Sequence, residues 1–277
     1  MKIRSWLWVT RLFIVTLFLT CTLGAQTVAP ATGTATGPAT ASATATARGR
    51  GARGPVGPPQ SATEPVLQSA QRHADFLARA KQGNIDLLFT GDSITDFFYY
   101  GRPGYPQMNG RTVWDKNFGA LNAADFAVGG AKTQNLVYQF QNGELEGYKA
   151  KCVVMMIGTN NISARNTPEE TVAGIKAVIA EIQKRQPDAK LLLLGIFPRG
   201  KTTDDPYRPA IKQVNAVISK LDDGQHIFYM DIGDKFLGPD GSIAADVMSD
   251  ALHPTEKGYT IWAEAILPKV KQLMGVK

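Results

Sequence analysis

The residues best suited to chemistry are a serine, a histidine and an aspartate that lie far apart in the chain. Ser93 follows an apolar run in the sequence GDSIT, and Asp250 and His253 lie near the C-terminus in the sequence DALHP. A serine hydroxyl becomes a nucleophile when an imidazole removes its proton and a carboxylate holds the imidazole in the correct tautomer. Each motif alone has a plainer interpretation, because Asp and Ser often cap helices and Asp-x-x-His also occurs in surface loops and metal sites.

The small number of histidines narrows the choice of a base. The chain has three. His73 precedes the first predicted strand, and His226 precedes the last one, at what should be the opposite edge of the sheet. Only His253 follows a strand-rich stretch, and Asp250, three residues earlier, can accept a hydrogen bond from its ring. Further metal-type ligands at short spacing are missing from the sequence, so we expect neither a metal nor an organic cofactor.

Two other loops carry donors that could stabilise a developing negative charge. Gly130 lies in the sequence VGGAKT and can present a backbone N–H with no side chain in the way. Asn160, in the sequence GTNN, offers a side-chain amide. Glycine pairs and asparagines are also common in turns, so each motif is weak evidence alone.

These loops need a fold that brings them to one edge of a sheet. Five short apolar runs favour strands, at 85–90, 125–128, 152–157, 190–196 and 227–231. Runs that are apolar throughout are typical of parallel sheets covered by helices on both faces. Apolar residues at helical spacing predict the covering helices, at 133–142, 168–185, 209–221 and 255–274. The alternation predicts a doubly wound, three-layer α/β/α sandwich, in which ligands bind beyond the carboxyl ends of the strands.

Taken together, the motifs resemble the sequence blocks of the SGNH (GDSL-type) hydrolase family in order and spacing. Residues 91–93 resemble its first block, the turn at Gly130 its second, residues 158–161 its third and residues 250–253 its fifth. The resemblance implies a five-stranded parallel sheet of the flavodoxin-like type. It also implies a serine esterase with a Ser-His-Asp catalytic triad. Its oxyanion hole would consist of the N–H groups of Ser93 and Gly130 and the side-chain amide of Asn160.

Within that family, the chain is similar to the catalytic subunits of intracellular platelet-activating-factor acetylhydrolases. The similarity lies in the sequences NGELE at 142–146, RQP at 185–187 and PRG at 198–200. The chain departs from relatives near the glycine pair, where Asp125 and Ala127 replace the usual Asn and Gly. We therefore expect the backbone donor at Gly130 to be kept and the substrate contacts near it to differ.

The first 25 residues have the layout of a secretory signal peptide. Basic residues precede a mainly apolar run at 12–23, and small residues follow at Gly24 and Ala25. That run is shorter than the roughly 20 residues of a membrane-spanning helix. Cleavage and export are therefore predicted, to a periplasmic, extracellular or cell-surface location. An uncleaved signal anchor and a lipid attached to Cys21 are the alternatives.

Composition divides the rest of the chain. Residues 26–63 consist mainly of Ala, Thr, Gly and Pro and predict a disordered linker, because they offer almost no large apolar side chain to bury. Residues 64–277 carry the strand and helix patterns and are predicted to form a single catalytic domain. Cys152 is the one cysteine after residue 25, so we expect a buried thiol and no internal disulfide in a cleaved chain.

The charge distribution argues against a nucleic-acid partner. The chain has 30 basic and 24 acidic residues. Six of the basic residues precede the first acidic one, Glu64, and they are Lys2, Arg4, Arg11, Arg48, Arg50 and Arg53. Removing six from 30 leaves 24, so the predicted domain is neutral and has no electrostatic footprint for DNA or RNA.

Location and resemblance together indicate a short acyl ester as substrate, above all an O-acetyl group on a sugar or glycan. One alternative is a lipase or acetylhydrolase that acts on phospholipid or other lipid esters. Another is a noncatalytic carbohydrate-binding domain on the cell surface, since a fold does not fix a function. Several aromatic residues could line a sugar cleft or simply pack, namely Tyr99, Tyr100, Tyr105 and Trp114. Arg199 could meet an anionic substrate group or form a surface ion pair.

Overall fold

The computed structural model describes residues 57–277. The predicted signal peptide and residues 26–56 of the predicted linker lie outside the described residues. Within 57–277, no helix combines the length and the apolar character needed to cross a bilayer.

The centre of the domain is one sheet of five parallel strands. Their bounds are β1 Leu87–Gly91, β2 Ala123–Asp125, β3 Cys152–Met156, β4 Lys190–Leu194 and β5 Ile227–Met230. The spatial order is β2-β1-β3-β4-β5, and every neighbouring pair is parallel. This is the flavodoxin-like order of a doubly wound sheet. The predicted fold class is confirmed.

All five predicted strands are present, with bounds that differ by a few residues. The largest difference is at β2, which the apolar pattern placed at 125–128. Pairing with β1 begins earlier, at Ala123, where the side chains are too small to stand out as an apolar run. Beyond β2 the chain stays beside β1, since Phe126 N donates to Phe89 O at 2.9 Å.

Eight α-helices occur in the described part of the chain. They are α1 Ala70–Lys81, α2 Ser93–Tyr99, α3 Arg111–Phe118, α4 Thr133–Gln141, α5 Thr159–Ser163, α6 Pro168–Arg185, α7 Arg208–Ile218 and α8 Glu256–Met274. The four helices predicted from periodicity correspond to α4, α6, α7 and α8. The last predicted turn of α7 is a separate 3₁₀ helix, Ser219–Leu221. Helix α6 begins as a capping box predicts, because Thr167 and Glu170 satisfy each other's backbone N–H groups.

Helices cover both faces of the sheet, and each face has its own apolar core. Helices α1, α4, α5, α6 and α7 pack on one face, and α2, α3 and α8 pack on the other. Strand β3 shows why the run is apolar throughout, since Val153 and Met155 enter the first core while Cys152 and Val154 enter the second. Cys152 is buried, as predicted, and burial raises the pKa of its thiol to about 12.

Residues 57–69, here called the N-terminal strap, run along the loops that follow β2 and β3. Thr133 Oγ1 donates to Ala62 O at 2.6 Å, and Asn166 Nδ2 donates to Gln60 O at 2.9 Å. Ala62 is buried. Composition predicts that residues 57–63 belong to the disordered linker, because they lack large apolar side chains. Polar side chains of the domain supply hydrogen-bond partners for their backbone instead, which composition does not reveal.

Candidate active site

Three side chains from opposite ends of the domain form one hydrogen-bonded line. Ser93 Oγ lies 2.8 Å from His253 Nε2, and His253 Nδ1 lies 2.7 Å from Asp250 Oδ2. Because a carboxylate can only accept, Nδ1 carries the proton and Nε2 is left to accept the proton of the serine hydroxyl. Ser93 is 8% exposed and His253 9%, so the hydroxyl and the ring are largely shielded from bulk water.

Helix α2 presents the serine hydroxyl. Strand β1 ends at Gly91, and the Asp92 side chain caps α2 by accepting a hydrogen bond from Ile94 N at 3.0 Å. Burial raises the pKa of the Asp92 carboxyl to about 6. Since Asp92 supplies the cap, Ser93 is the first helical residue and its hydroxyl is free to face His253.

The two carboxylate oxygens of Asp250 have different partners. Oδ2 binds the His253 ring, while Oδ1 accepts the backbone N–H groups of Leu252 at 3.1 Å and His253 at 2.8 Å. Burial disfavours the charge, but the hydrogen bonds from the His253 side chain and backbone outweigh it and lower the pKa of Asp250 to about 2. Ala251 adopts a left-handed φ of 57° in this turn, a strained conformation for alanine. The carboxylate thus shapes the loop and orients the ring at once.

A loop after α2 forms one wall beside the triad. Arg102 Nη1 lies 3.4 Å from Asp250 Oδ2, and its guanidinium stacks 4.0 Å from the centre of the Tyr105 ring. The Phe97 ring packs against the His253 ring, with 5.1 Å between their centres. The Phe97 ring beside the imidazole, and Arg102 beyond the Asp250 carboxylate, limit how far the His253 ring can move.

The segments that follow β1, β2 and β3 each carry a hydrogen-bond donor with a free hydrogen. The N–H groups of Ser93 and Gly130 donate to no other group within residues 57–277. Asn160 Nδ2 uses one hydrogen to bind Ala131 O at 2.9 Å, which leaves its second hydrogen available. Gly129 packs beside the serine, because a Cβ on Gly129 would lie 3.9 Å from Ser93 Cβ. The structure therefore brings the predicted oxyanion loops to the same edge of the sheet as the triad.

The other two histidines lie away from this site. His226 sits just before β5, where its ring is 4.0 Å from Asp223. His73, on α1, contacts the buried Glu144 at 2.6 Å. No group of three or more His, Cys, Asp or Glu side chains within the described residues is arranged to hold a metal ion.

Of the aromatic residues that follow β1 and could line a sugar cleft, some are buried in the core and others are exposed. Trp114 is buried against Phe89 and Phe98, so its role is packing. Tyr100 and Tyr105 are 46% and 44% exposed. Arg199 donates to Ser163 Oγ at 2.7 Å and lies over the Tyr207 ring. It forms no ion pair with any residue of the 57–277 range, so the surface-ion-pair interpretation of Arg199 is wrong.

Some residues of the site carried no sequence signal. Arg102 lies in a loop without periodicity. It contacts Asp250, which is 148 residues away in the sequence, so no local pattern reveals the pair. Asp96 accepts a hydrogen bond from Gly129 N at 2.9 Å and pairs with Arg72 at 2.7 Å. The one sequence signal for Asp96 is its spacing: it lies three residues after Ser93, which puts both side chains on the same side of α2.

Comparisons with known proteins agree with this geometry. Residues 89–261 match the GDSL-like Lipase/Acylhydrolase family. The chain is 33% identical to the platelet-activating factor acetylhydrolase IB subunit alpha2 of Homo sapiens over 204 residues, which cover 73% of this chain and 83% of that protein.

Solved structures share the fold at lower identity. A GDSL-like lipase from Bacteroides thetaiotaomicron superposes with a TM-score of 0.54 at 17% identity, covering 73% of this chain and 95% of that one. A catalytic mutant of an acetylxylan esterase from Geobacillus stearothermophilus superposes with a TM-score of 0.51 at 19% identity, covering 70% and 96%.

Proposed function

Because this chain belongs to the SGNH (GDSL-like) hydrolase family and is a hydrolase of ester bonds, we propose that it is an exported serine esterase that removes short acyl groups from carbohydrates. Its nucleophile is Ser93, its base is His253 and its orienting carboxylate is Asp250. The observation that carries the proposal is the continuous hydrogen-bonded line from the serine hydroxyl through the imidazole to the carboxylate.

The reaction proceeds through an acyl-enzyme. His253 Nε2 accepts the hydroxyl proton as Ser93 Oγ bonds to the ester carbonyl carbon. The tetrahedral intermediate then collapses, the ester C–O bond breaks, and the imidazolium gives its proton to the leaving alcohol. Water repeats the sequence on the acyl-enzyme and releases the carboxylic acid and free Ser93. Asp250 stays ionised throughout and stabilises the imidazolium.

The negative charge of each tetrahedral intermediate needs donors already in place. The N–H groups of Ser93 and Gly130 and the amide of Asn160 meet this need without reorganisation, since they have free hydrogens at the same edge of the sheet. No metal or organic cofactor takes part in this scheme.

Support for a carbohydrate acetyl ester comes from the surface next to the triad. Tyr105 is exposed and stacks on Arg102, which itself contacts Asp250. Exposed aromatic rings of this kind can pack against sugar faces. Two of the proteins compared above are named for acetyl esters, an acetylhydrolase and an acetylxylan esterase. The proposed substrate is therefore an O-acetyl group on an extracellular sugar or glycan.

A second candidate substrate is an acetyl-phospholipid. It is favoured by the 33% identity to a platelet-activating factor acetylhydrolase subunit and by Arg199, a cation with no acidic partner within residues 57–277 that could meet a phosphate. Initial rates on acetylated xylan, on p-nitrophenyl esters of two to eight carbons and on a 2-acetyl phospholipid separate the candidates. Preference for the phospholipid or for the longer acyl chains would reject the carbohydrate ester.

The nucleophile is tested with a serine-directed fluorophosphonate. Wild-type protein should be labelled and inhibited, whereas Ser93→Ala should be neither labelled nor active on p-nitrophenyl acetate. Ser219→Ala is the matched control, because this serine lies at the end of α7 and its hydroxyl donates to Ala216 O at the surface. Absence of labelling in folded wild-type protein would instead support a noncatalytic carbohydrate-binding domain.

Export belongs to the same proposal. The basic and apolar layout of residues 1–25 supports a cleaved signal peptide, followed by the linker that begins at residue 26. N-terminal sequencing of the protein recovered from the periplasm or medium should begin near Gln26. Protein that keeps residues 1–25 and stays with the membrane fraction would favour the uncleaved anchor.

A further inference from the structure

The loop that carries Gly130 is a tight turn over residues 128–131. Ala131 N donates to Val128 O at 3.0 Å, which closes the turn. Gly130, its third residue, has φ of 79°, while the second residue, Gly129, is not in the positive-φ region. This combination defines a type II turn. The central peptide joins the carbonyl of Gly129 to the N–H of Gly130, the proposed oxyanion donor.

A turn of this kind has a competing conformation. Types I and II differ by a rotation of the central peptide of about half a turn, and the closing hydrogen bond between the outer residues survives in both. Glycine at both central positions removes the side chains that would favour one form. After such a rotation, the N–H of Gly130 would point in the opposite direction and the carbonyl of Gly129 would take its place.

One side chain holds the central peptide in the observed orientation. Gln68 Nε2 donates to Gly129 O at 2.7 Å, and it is the only donor to that oxygen within residues 57–277. The C=O and N–H of a trans peptide point in opposite directions. Holding the carbonyl towards Gln68 therefore directs the N–H of Gly130 to the other side of the peptide.

The peptides before the central one are held separately. Arg72 Nη2 donates to Ala127 O at 2.9 Å and to Asp96 Oδ1 at 2.7 Å, and Asp96 Oδ2 accepts the N–H of Gly129 at 2.9 Å. These contacts fix where the turn sits, yet none of them touches the Gly129–Gly130 peptide. The orientation of that peptide depends on Gln68.

We propose that Gln68 is a positioning residue of the esterase, which directs the N–H of Gly130 into the oxyanion hole by holding the carbonyl of Gly129. The proposal rests on the proposed function through the role of Gly130 as an oxyanion donor. Gln68 belongs to the N-terminal strap, so a segment outside the matched family region completes the active site.

The test is a series of substitutions at residue 68, measured as kcat and KM on p-nitrophenyl acetate at pH 8. Gln68→Ala should lower kcat roughly 3- to 10-fold at nearly constant KM, the effect of losing one hydrogen bond on a two-state equilibrium. Gln68→Glu should lower kcat further, by about 10- to 100-fold, because a carboxylate repels Gly129 O and can accept the N–H of Gly130 after the peptide rotates. The upper limit is the effect of losing one oxyanion donor completely. Gln68→Arg keeps a donor and should stay within about 2-fold of wild type.

The series separates a positioning role of Gln68 from a packing role. Glu has nearly the shape of Gln but lacks its N–H donor, whereas Arg has a donor but a different shape. Equal kcat values for wild type and Gln68→Glu, with the thermal midpoint unchanged, would overturn the proposal. So would a greater loss in Gln68→Arg than in Gln68→Glu. Gln71→Ala is the matched control, since this glutamine lies three residues later, in the first turn of α1, and donates to Asp75 on the surface; it should match wild type.

Two further variants keep this proposal distinct from the proposed function. If Ser93→Ala and Asn160→Ala lose activity while Gln68→Glu does not, the positioning role fails and the esterase mechanism stands. If Ser93→Ala hydrolyses the ester at the wild-type rate, the assigned mechanism itself fails.

Discussion

Asp250 shows how one side chain can serve two structural tasks in a catalytic loop. Its Oδ2 atom faces the His253 ring, and its Oδ1 atom holds two backbone N–H groups of the same turn. An amide of the same shape can satisfy only one of these partners, because its nitrogen would face an N–H group on the other side. The residue therefore has no isosteric neutral replacement.

This predicts a severe effect of Asp250→Asn. We expect kcat on p-nitrophenyl acetate to fall roughly 10³- to 10⁴-fold, as loss of tautomer control does in other triads. Asp246→Asn is the matched control, because Asp246 is an exposed aspartate of the same loop whose side chain pairs with Lys257. A loss of less than 10-fold in Asp250→Asn would mean that His253 is oriented by other groups.

In the proposed mechanism, Asn160 supplies the one side-chain donor of the oxyanion hole. Asn160→Ala should lower kcat by about 10²- to 10³-fold, the usual effect of losing one oxyanion donor. Its bond to Ala131 O is partly buried, so thermal unfolding should be followed in parallel to check that the fold is kept. Asn142→Ala, which loses a similar amide-to-carbonyl bond at the exposed end of α4, should keep full activity.

Asp125 is a buried carboxyl at the end of β2. Its Oδ1 accepts the N–H of Ala127 at 2.8 Å, Oδ2 has no partner within residues 57–277, and burial raises its pKa well above the ordinary value. The folded protein therefore keeps a proton that the unfolded chain releases near pH 4. Stability from this group is present at low pH and is lost as the pH rises towards the raised pKa.

Asp125→Asn should remove this dependence. As the pH is raised from 5 to 8, the free energy of unfolding of the variant minus that of wild type should increase by up to about 1.4 kcal/mol per pH unit. Urea unfolding at several pH values measures the difference. Parallel curves for the two proteins would show that Asp125 is ionised in the folded state.

At the scale of single residues, sequence patterns find the chemistry but not its supports. Ser93, Asp250 and His253 stand out because their types and loop positions suit acyl transfer. Gln68 and Arg102 do not, since a glutamine or an arginine at the surface is ordinary and its importance depends on contacts across 61 and 148 residues. Such contacts follow from the packing of the N-terminal strap and of the loop after α2, which no local pattern encodes.

Among the helices, segments of nine or more residues with several apolar positions were predictable, whereas shorter helices and the mainly polar α1 were not. Helices α4, α6, α7 and α8 are long enough to show a helical period. Helices α2, α3 and α5 have only seven, eight and five residues, too few for a period to emerge. Strand β2 has three residues, two of them alanine, so its start was not visible as an apolar run.

The loop that carries Asp250 and His253 packs closely against the first turn of α8 at Gly258. A Cβ there would lie 2.4 Å from Val247 O, and Val247 O also accepts the N–H of Thr255 at 2.9 Å. Helix propensity alone favours alanine over glycine by about 1 kcal/mol, but this overlap with backbone should reverse the sign. Gly258→Ala should lower the free energy of unfolding by roughly 1–3 kcal/mol and lower kcat by displacing His253.

The control for that substitution is another glycine with a helical backbone. Gly119 has φ of −55° and ψ of −35°, and a Cβ there meets nothing within 4 Å. Gly119→Ala should raise stability by about 0.4–1 kcal/mol through the unfolded chain. Chemical denaturation of both variants checks the contrast, and a stabilised Gly258→Ala would show that the loop before α8 yields easily.

At the scale of the whole molecule, the parallel sheet explains why distant motifs meet. Every strand ends at the same edge, so the loops after β1, β2 and β3 converge there, and the C-terminal loop reaches it by returning ahead of α8. The convergence was predictable from strand order alone. The distances within the triad were not, because they depend on the Asp92 cap and on the turn held by Asp250.

The N-terminal strap lies outside residues 89–261, the region that matches the family, and its proposed role in the active site leads to a prediction about chain length. A protein shortened to residues 57–277 should keep the kcat and thermal midpoint of a chain that begins at residue 26, because all described contacts of the strap are retained. A protein shortened to residues 70–277 loses the bonds from the strap to Thr133, Asn135 and Asn166, together with Gln68. Its kcat should fall by at least as much as that of Gln68→Ala, and its thermal midpoint should fall as well, since the freed polar side chains near α4 lose their partners. Equal activity and stability of the two shortened proteins would show that the strap lies on the domain without supporting it.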